Sequence, residues 1–196
     1  MLKRIFVMAA AALMAVTSVN AQVAGDVSYR FRGGVNMSTM TSNDDSKYKV
    51  GWTLGTGIDF CFSDQFSLGL DICHDMIGAK SKSLDENLNL EYLGIGPLVR
   101  LYAKPWMSLY AGPQINFLTS AKVDDHSYKS FCEKTEFSVP IGISFEPMVG
   151  KRRNVALIID LRYRLGLSNV NKEQLLGNED TKNSAFILTI GYKNPF

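Results

Sequence analysis

The chain has 196 residues, of which 21 are Lys or Arg and 19 are Asp or Glu. Lys3 and Arg4 lie in the first segment, so removing that segment leaves 19 charges of each sign and a formal net charge of zero. A neutral chain of this size fits one domain and gives no electrostatic reason to expect a nucleic-acid partner.

The N-terminal segment has the features of an export signal. Lys3 and Arg4 precede an apolar run over 5–16, and a short polar stretch then ends at Ala21. A basic start, an apolar stretch of about 7–15 residues and small residues before the cleavage point are typical of a secretory signal peptide, and the run is shorter than the about 20 residues that span a bilayer as a helix. We predict cleavage after Ala21, which leaves residues 22–196 as one domain.

Apolar and polar residues alternate in eight segments of about ten residues, the length that a tilted strand needs to cross a bilayer. In the fourth segment Leu88, Leu90 and Tyr92 are out of phase with Leu93, which predicts a bulge near Tyr92. The apolar faces run over Tyr29–Met37, Val50–Phe62, Phe66–Ile72, Leu93–Leu101, Leu109–Phe117, Phe137–Phe145, Val155–Leu165 and Phe186–Tyr192.

The connections between these segments alternate in length. This order predicts an all-β, antiparallel, up-and-down transmembrane barrel of about eight strands, with long external loops, short periplasmic turns and both termini on the turn side. The long connections are 38–49, 77–88, 119–135 and 168–183, and the short ones are 63–65, 103–107 and 146–154.

The residue types on the polar face indicate which face meets lipid. A soluble lipocalin-like barrel would also alternate, but its water-facing exterior should be rich in Lys and Glu. Here the polar face carries Gly, Ser, Arg and Asp, and we place every Lys outside the strand interiors, so we favour lipid outside. Aromatic residues near the predicted strand ends, where interfacial girdles lie, are Tyr29, Trp52, Tyr92, Trp106, Tyr110 and Tyr192.

Charged residues on the polar face predict an ion network in the lumen. Asp75 and Glu91 lie on the same face, and the hairpin geometry puts Arg30 beside Gly57 and Gly57 beside Asp71, so that Arg30 and Asp71 could meet. We interpret the network as structural, and a gated polar path is the alternative. Its predicted members are Arg30, Arg32, Asp59, Asp71, Arg100, Asp160, Arg162 and Arg164.

Other side chains that carry chemistry give weaker patterns. His74-Asp75 and the loop 124–127 hold the residue types of a nucleophilic site, but adjacency in sequence is not triad geometry, so we do not expect an enzyme. Cys61, Cys73 and Cys132 match no metal pattern and are interpreted as small buried residues. We expect no cofactor.

Three prolines fall inside predicted strands, where a closed barrel has no free edge. The hairpin geometry places Pro97 opposite Pro113, and Pro140 within one residue of Pro113's level. We predict either bulges that set curvature or a weak seam between strands four and six, with fewer ladder hydrogen bonds there than between strands one and three.

The order of several motifs resembles the PorT-like outer-membrane β-barrel domain family. Residues 92–99 are similar to its "YLEIPLLL" strand, with Gly94 where the family often has Glu, and residues 109–114 match "LYAGPQ". Residues 160–169 match "DLRYNLGLTNI", 33–38 resemble "GGVNFS", and 190–193 resemble "LGYKF". The resemblance implies an outer-membrane barrel and adds little about activity.

We therefore predict an exported barrel in the outer membrane of a Gram-negative-type cell, with a structural or interaction role through its external loops or strand rims. A small polar-lumen channel and a soluble lipocalin-like binding barrel are the alternatives. The expected partners are outer-membrane lipid, the assembly machinery and a protein at the external loops. Lys at Leu68, Ile141 or Ile159 should impair assembly, and Ser at Gly69 or Gly142 should do much less.

Overall fold

A computed structural model describes residues 24–41, 46–81, 87–123, 126–127, 129, 132–149, 155–170 and 182–195. The predicted signal segment, residues 1–21, lies outside these residues. In the described part no helix is long and apolar enough to span a membrane.

Eight long strands form the fold, with three short strands, Ser46–Lys47, His126–Ser127 and Met148–Val149, added at their ends. The long strands are β1 Val27–Thr41, β2 Lys49–Cys61, β3 Phe66–Ser81, β4 Asn87–Lys104, β5 in two segments Met107–Ala111 and Gln114–Val123, β6 Thr135–Phe145, β7 Val155–Gly166 and β8 Lys182–Pro195.

The sheet closes on itself. Each strand pairs antiparallel with the next along the chain, and β8 pairs with β1 over Ser28–Thr41. The predicted eight-stranded, up-and-down barrel is confirmed. We call the end with the turns at 62–65 and 105–106 the turn end, and the opposite end the loop end.

The two faces of the wall differ as predicted. Along β2 burial alternates residue by residue, with Leu54 45% and Ile58 52% exposed while Thr53 and Asp59 are buried. The large apolar residues therefore face outward, and the lumen receives Gly, Ser and charged side chains. The lipocalin-like alternative is wrong because its apolar face would line the interior.

The strands are longer than predicted, because they continue past the apolar band at the loop end. In β4 the outward residues are apolar from Leu93 onward, yet the strand begins at Asn87. There the polarity of the faces inverts: Leu90 and Tyr92 are buried inside, and Glu91 is half-exposed outside. This inversion is why these residues are out of phase with Leu93.

The register shift near Tyr92 is confirmed, but the extra residue is in the partner strand. Glu91 pairs with Ser120 and Tyr92 with Leu118, so Thr119 of β5 is the unpaired residue. Burial within β4 alternates without a break through Tyr92.

The three prolines align as predicted. The β4–β5 register continues from Ile95–Ile115 to Val99–Ala111, which places Pro97 opposite Pro113. The β5 ladder is interrupted over 112–113 on both sides, while the β3–β4 and β6–β7 ladders run through Pro97 and Pro140.

The predicted contrast with strands one to three stays a prediction, although the β2–β3 ladder is also interrupted. It stops at Thr53–Asp75 and resumes one residue out of register, with Lys47 opposite Lys80. In this gap the Asn36 side chain donates to the carbonyl oxygens of Trp52, at 2.9 Å, and Met76, at 3.1 Å.

The aromatic girdle is only partly as predicted. Trp52, Trp106 and Tyr192 are more than 40% exposed and face outward. Tyr92 and Tyr110 are buried, because their strand phase points them into the lumen.

Candidate functional site: the barrel lumen

The lumen holds all eight side chains of the predicted ion network, each at most 5% exposed. Among the described residues, twelve charged side chains are buried, six of each sign. A buried charge without a partner costs several kcal/mol, so equal numbers are what a packed lumen requires. Beyond the eight predicted members are Asp75, which was predicted to lie on the same face, and Glu136, Glu146 and Lys193, which were not predicted.

The layer nearest the turn end centres on Arg30. Its guanidinium pairs with Asp59, and its Nη2 is 2.9 Å from Glu146 Oε1. Arg100 Nε lies 3.2 Å from Asp59 Oδ1, and Lys193 Nζ lies 3.1 Å from Glu146 Oε2. Each carboxylate here thus meets two cations.

Glu146 lies in the turn after β6, outside the long strands. Burial alone would raise the pKa of its carboxyl, but the adjacent Arg30 and Lys193 cations reverse this and hold the pKa well below its usual range. The carboxyl is therefore charged in the folded barrel at neutral pH.

The middle layer bridges opposite sides of the barrel. Arg32 donates two hydrogen bonds to Asp71, at 2.7 and 2.6 Å. Arg162 of β7 reaches the same carboxylate of β3 at 3.2 Å, across the full width of the lumen. Arg162 Nε also donates to the Tyr110 hydroxyl at 2.9 Å, which in turn donates to Asp160 at 2.8 Å.

The third layer repeats this bridge nearer the loop end. Arg164 of β7 lies 3.1 Å from Asp75 of β3 and 2.8 Å from Glu136 of β6. Asn183 donates to the same Glu136 oxygen at 3.2 Å, and Thr53 donates to Asp75.

Above these layers an apolar plug fills the loop end of the lumen. Its members come from five strands and from two connections that fold inward, in which Glu133 N donates to Val170 O at 2.8 Å. The plug consists of Met40, Ile77, Leu90, Tyr92, Leu118, Ala121, Cys132, Val170, Ala185 and Ile187, with Leu88 packed against it. The lumen is therefore closed by ion pairs below and by apolar packing above.

One predicted contact is wrong. Arg30 lies opposite Gly57, and Gly57 opposite Asp71, as the hairpin geometry requires. Yet Asp71 pairs with Arg32 and not with Arg30, because Arg32 extends across Gly55, where a built Cβ would lie 3.0 Å from its guanidinium. The missing side chain that matters for this contact is at Gly55.

Two further expectations are corrected. Glu91 is not in the lumen, because it lies beyond the polarity inversion and faces outward, with its side chain 36% exposed. The prediction that every Lys lies outside the strand interiors is also corrected: Lys193 is buried in the lumen near the end of β8, and Lys49, the first residue of β2, donates to Leu88 O at 2.9 Å. A search for charges at strand ends would have found Glu136, Glu146 and Lys193.

The structure does not support the expected tolerance of Ser at two lumen glycines. A Cβ built on Gly142 would overlap the Tyr110 hydroxyl and lie 2.8 Å from Leu161 O. At Gly69 the Asp59 carboxylate occupies the space that a Cβ would need. Both glycines leave room for a neighbouring lumen side chain.

The His74-Asp75 pair does not form a catalytic arrangement. Asp75 points into the lumen, while His74 faces outward, stacks on Trp52 with 5.0 Å between ring centroids and lies 4.0 Å from Glu91. Asp124 and Asp125, from the second candidate, lie outside the described residues.

The cysteines are buried and form no disulfide. Cys73 Sγ donates to Asp75 Oδ2 at 3.3 Å and accepts from Gln114 Nε2 at 3.2 Å, so it is part of the lumen packing. Within the described residues, no group of three His, Cys, Asp or Glu side chains could hold a metal ion.

Solved structures with the same architecture are small outer-membrane barrels. Neisserial surface protein A is 17% identical, with a TM-score of 0.55, covering 86% of this chain and 97% of its own. Ail of Yersinia pestis, in complex with the heparin analogue sucrose octasulfate, is 16% identical, with a TM-score of 0.52 over 86% and 99%. Outer membrane protein W of E. coli is 11% identical, with a TM-score of 0.50 over 89% and 100%.

At these identities the similarity to solved structures shows the fold alone. No curated protein matches the chain. The family model described as outer membrane protein β-barrel domain matches residues 9–193, nearly the whole length. The chain therefore belongs to the outer membrane protein β-barrel domain family.

Proposed function

We propose that this outer-membrane β-barrel is a sealed platform that anchors an interaction surface at its loop end, and not a channel. The observation that carries the proposal is the cross-lumen bridging: Arg162 and Arg164 of β7 bind Asp71 and Asp75 of β3 on the opposite wall. An ion could pass only by breaking these pairs and displacing the apolar plug. Eight-stranded barrels of this kind have an interior that side chains fill.

A conductance measurement tests the sealed state. Purified protein in a planar bilayer should give no stepwise currents, because three ion-pair layers and the plug lie in series. The variant R162A removes one bridge while Asp71 keeps its two hydrogen bonds from Arg32, and this variant should also stay closed. Reproducible single-channel steps from the unmodified barrel, in preparations free of porin, would favour the channel alternative.

The proposed interaction surface is the part of the wall beyond the apolar band. β4 begins six residues before Leu93, which adds about 20 Å of strand at about 3.3 Å per residue. β3 continues to Ser81 beside it, and Tyr48 at the same end is 59% exposed. Paired strands present a rigid surface, which suits recognition of a partner protein better than loose loops do.

Site-specific crosslinking tests this surface. A photoreactive amino acid at Tyr48 should give a discrete adduct in intact cells. The same group at Trp106, which is 48% exposed at the turn end, serves as the matched control and should not give that adduct. Identical adducts from both sites, or none from Tyr48, would contradict an interaction role at the loop end.

The route to the membrane is also part of the proposal. The N-terminal pattern supports export and removal of residues 1–21, followed by insertion through the outer-membrane assembly machinery. The order of motifs over residues 33–193 supports a place in the PorT-like subgroup. Mass spectrometry of protein from the outer-membrane fraction should find Gln22 at the N-terminus, and an intact Met1 would contradict processing.

A further inference from the structure

The outer wall carries an apolar groove of about 580 Å³ that crosses five neighbouring strands. It lies between two rows of outward side chains, each row running directly across the strand pairings. The first row is Leu109, Ile143, Leu161, Leu188 and Val35, and the second is Ile141, Tyr163, Phe186 and Met37. We call this feature the wall groove.

The dimensions of the wall groove restrict what can occupy it. Four strand spacings of about 4.8 Å make it about 19 Å long, and the two rows are two residues apart, or about 7 Å. An α-helix about 10–12 Å in diameter is too wide for that gap, whereas one extended hydrocarbon chain fits. Because strands in such barrels tilt by about 35–45°, the groove runs obliquely from the loop end toward the turn end.

Polar groups lie on the loop-end side of the wall groove, beyond Phe186 and Met37 of the second row. On β8 the outward residues before Phe186 are Ser184 and Lys182, and Lys182 is half-buried. On β1 Thr39 follows Met37 and lies opposite Ser184. An ammonium group and two hydroxyls thus lie beside the second row, at the border of the apolar band.

We propose that the wall groove binds one acyl chain of a phosphate-bearing outer-leaflet lipid, with the lipid phosphate at Lys182, Ser184 and Thr39. The apolar rows hold the chain by van der Waals packing, because a chain already in the bilayer gains no hydrophobic free energy by moving into the groove. Lysine binds phosphate as a point charge, and hydroxyls donate to its oxygens. The barrel then holds one lipid at a defined place on the β8–β1 side of its wall.

Native mass spectrometry with matched variants tests the site. Protein in a phosphate-free detergent is given diphosphorylated lipid A or the dephosphorylated form, and the retained copies are counted. The unmodified barrel should keep one copy of the phosphorylated lipid. L161W, which fills the groove, should lower retention of both lipids at least fivefold, and K182Q should reduce the phosphorylated lipid to the level of the other.

The controls separate a specific site from general lipid contact. Leu70 is as exposed as Leu161, 48% against 49%, but lies outside the wall groove, so L70W should retain lipid normally. K104Q removes a lysine at the turn end and should have no effect. Equal loss in L70W and L161W, or unchanged retention in K182Q, overturns the proposal. L161F replaces L161W if the latter fails to fold, as judged by heat-modified gel mobility.

Discussion

Arg164 shows how much one lumen residue can decide. It is 1% exposed and is the cation that the structure gives both Asp75 and Glu136 as a partner. A neutral residue at this position would leave the Asp75 and Glu136 carboxylates without this cation in the low-dielectric interior. Removing the Arg164 cation alone therefore costs more free energy of folding than the intact ion pairs contribute.

Arg164→Met should destabilise the barrel by about 3–5 kcal/mol, the usual cost of removing one partner from a buried ion pair. Urea unfolding in lipid vesicles, monitored by gel mobility, measures the change in the free energy of unfolding. D75N/E136Q in the same background removes the orphaned charges and should recover much of the loss. A single variant as stable as the unmodified protein would show that the network is not structural.

On the outward face, in contrast to the lumen, a charged side chain destabilises the barrel. Lys in place of Leu68, Ile141 or Ile159 should weaken folding in lipid by about 2–4 kcal/mol if the site is near the bilayer midplane. Leu68→Met keeps the position apolar and is the matched control. Vesicle refolding yields give the comparison, and similar yields for Leu68→Lys and Leu68→Met would contradict a lipid-facing position.

Substitution of the lumen residue Gly142 should also destabilise the barrel. Its space is taken by the Tyr110 hydroxyl and the Leu161 carbonyl oxygen, so Gly142→Ser forces one of them to move. We expect a loss of about 1–3 kcal/mol, as for other overpacked sites. The same refolding assay checks it, and Y110A/G142S, which removes both the ring Cζ and the hydroxyl, should lose less stability than the sum of the two single variants.

At the scale of elements, β5 is the strand whose pairing is weakest in its middle. Pro113 has no N–H, and the ladders on both sides of β5 stop at residues 112–113. Each missing hydrogen bond is worth about 0.5–1.5 kcal/mol, up to about tenfold in local opening. We expect faster amide exchange over 110–115 and 138–142 than over 30–36 of β1, whose ladder to β2 is unbroken.

Pro113→Ala is the variant that isolates this effect. It restores a backbone donor without changing the register, so exchange at the neighbouring amides should slow toward the β1 value. Hydrogen exchange with mass spectrometry in detergent measures both proteins. If the β5 amides of the unmodified barrel are as protected as those of β1, the prolines only shape the wall.

The elements also show which parts of this fold are predictable from sequence. The turn positions set the register of the hairpins, so the predicted partners of Gly57 and the predicted position of Pro113 opposite Pro97 are correct. Side-chain partners were not, because Arg32 has a long side chain that reaches a diagonal neighbour. Strand ends were misplaced where the faces invert at the apolar border, since Leu90 and Tyr92 then break the pattern that identifies a lipid-facing strand.

At the scale of the whole molecule, the barrel is divided along its axis. The part inside the apolar band has a charged lumen and an apolar exterior, and the part beyond it has an apolar plug and a polar exterior. The change occurs within continuous strands such as β4, between Glu91 and Leu93. The same strands therefore contact lipid within the apolar band and water beyond it at the loop end, without a domain boundary.

The predicted orientation, with the loop end outside the cell, can be tested by chemical labelling. Lys129 is exposed at the loop end and Lys104 at the turn end. The native cysteines Cys61, Cys73 and Cys132 are buried thiols and should give little background. A membrane-impermeant maleimide should therefore label K129C in intact cells, because that end faces outward, whereas K104C should react only after the outer membrane is permeabilised. Labelling of K104C but not K129C in intact cells would invert the proposed orientation, and equal labelling of both would contradict insertion in the membrane.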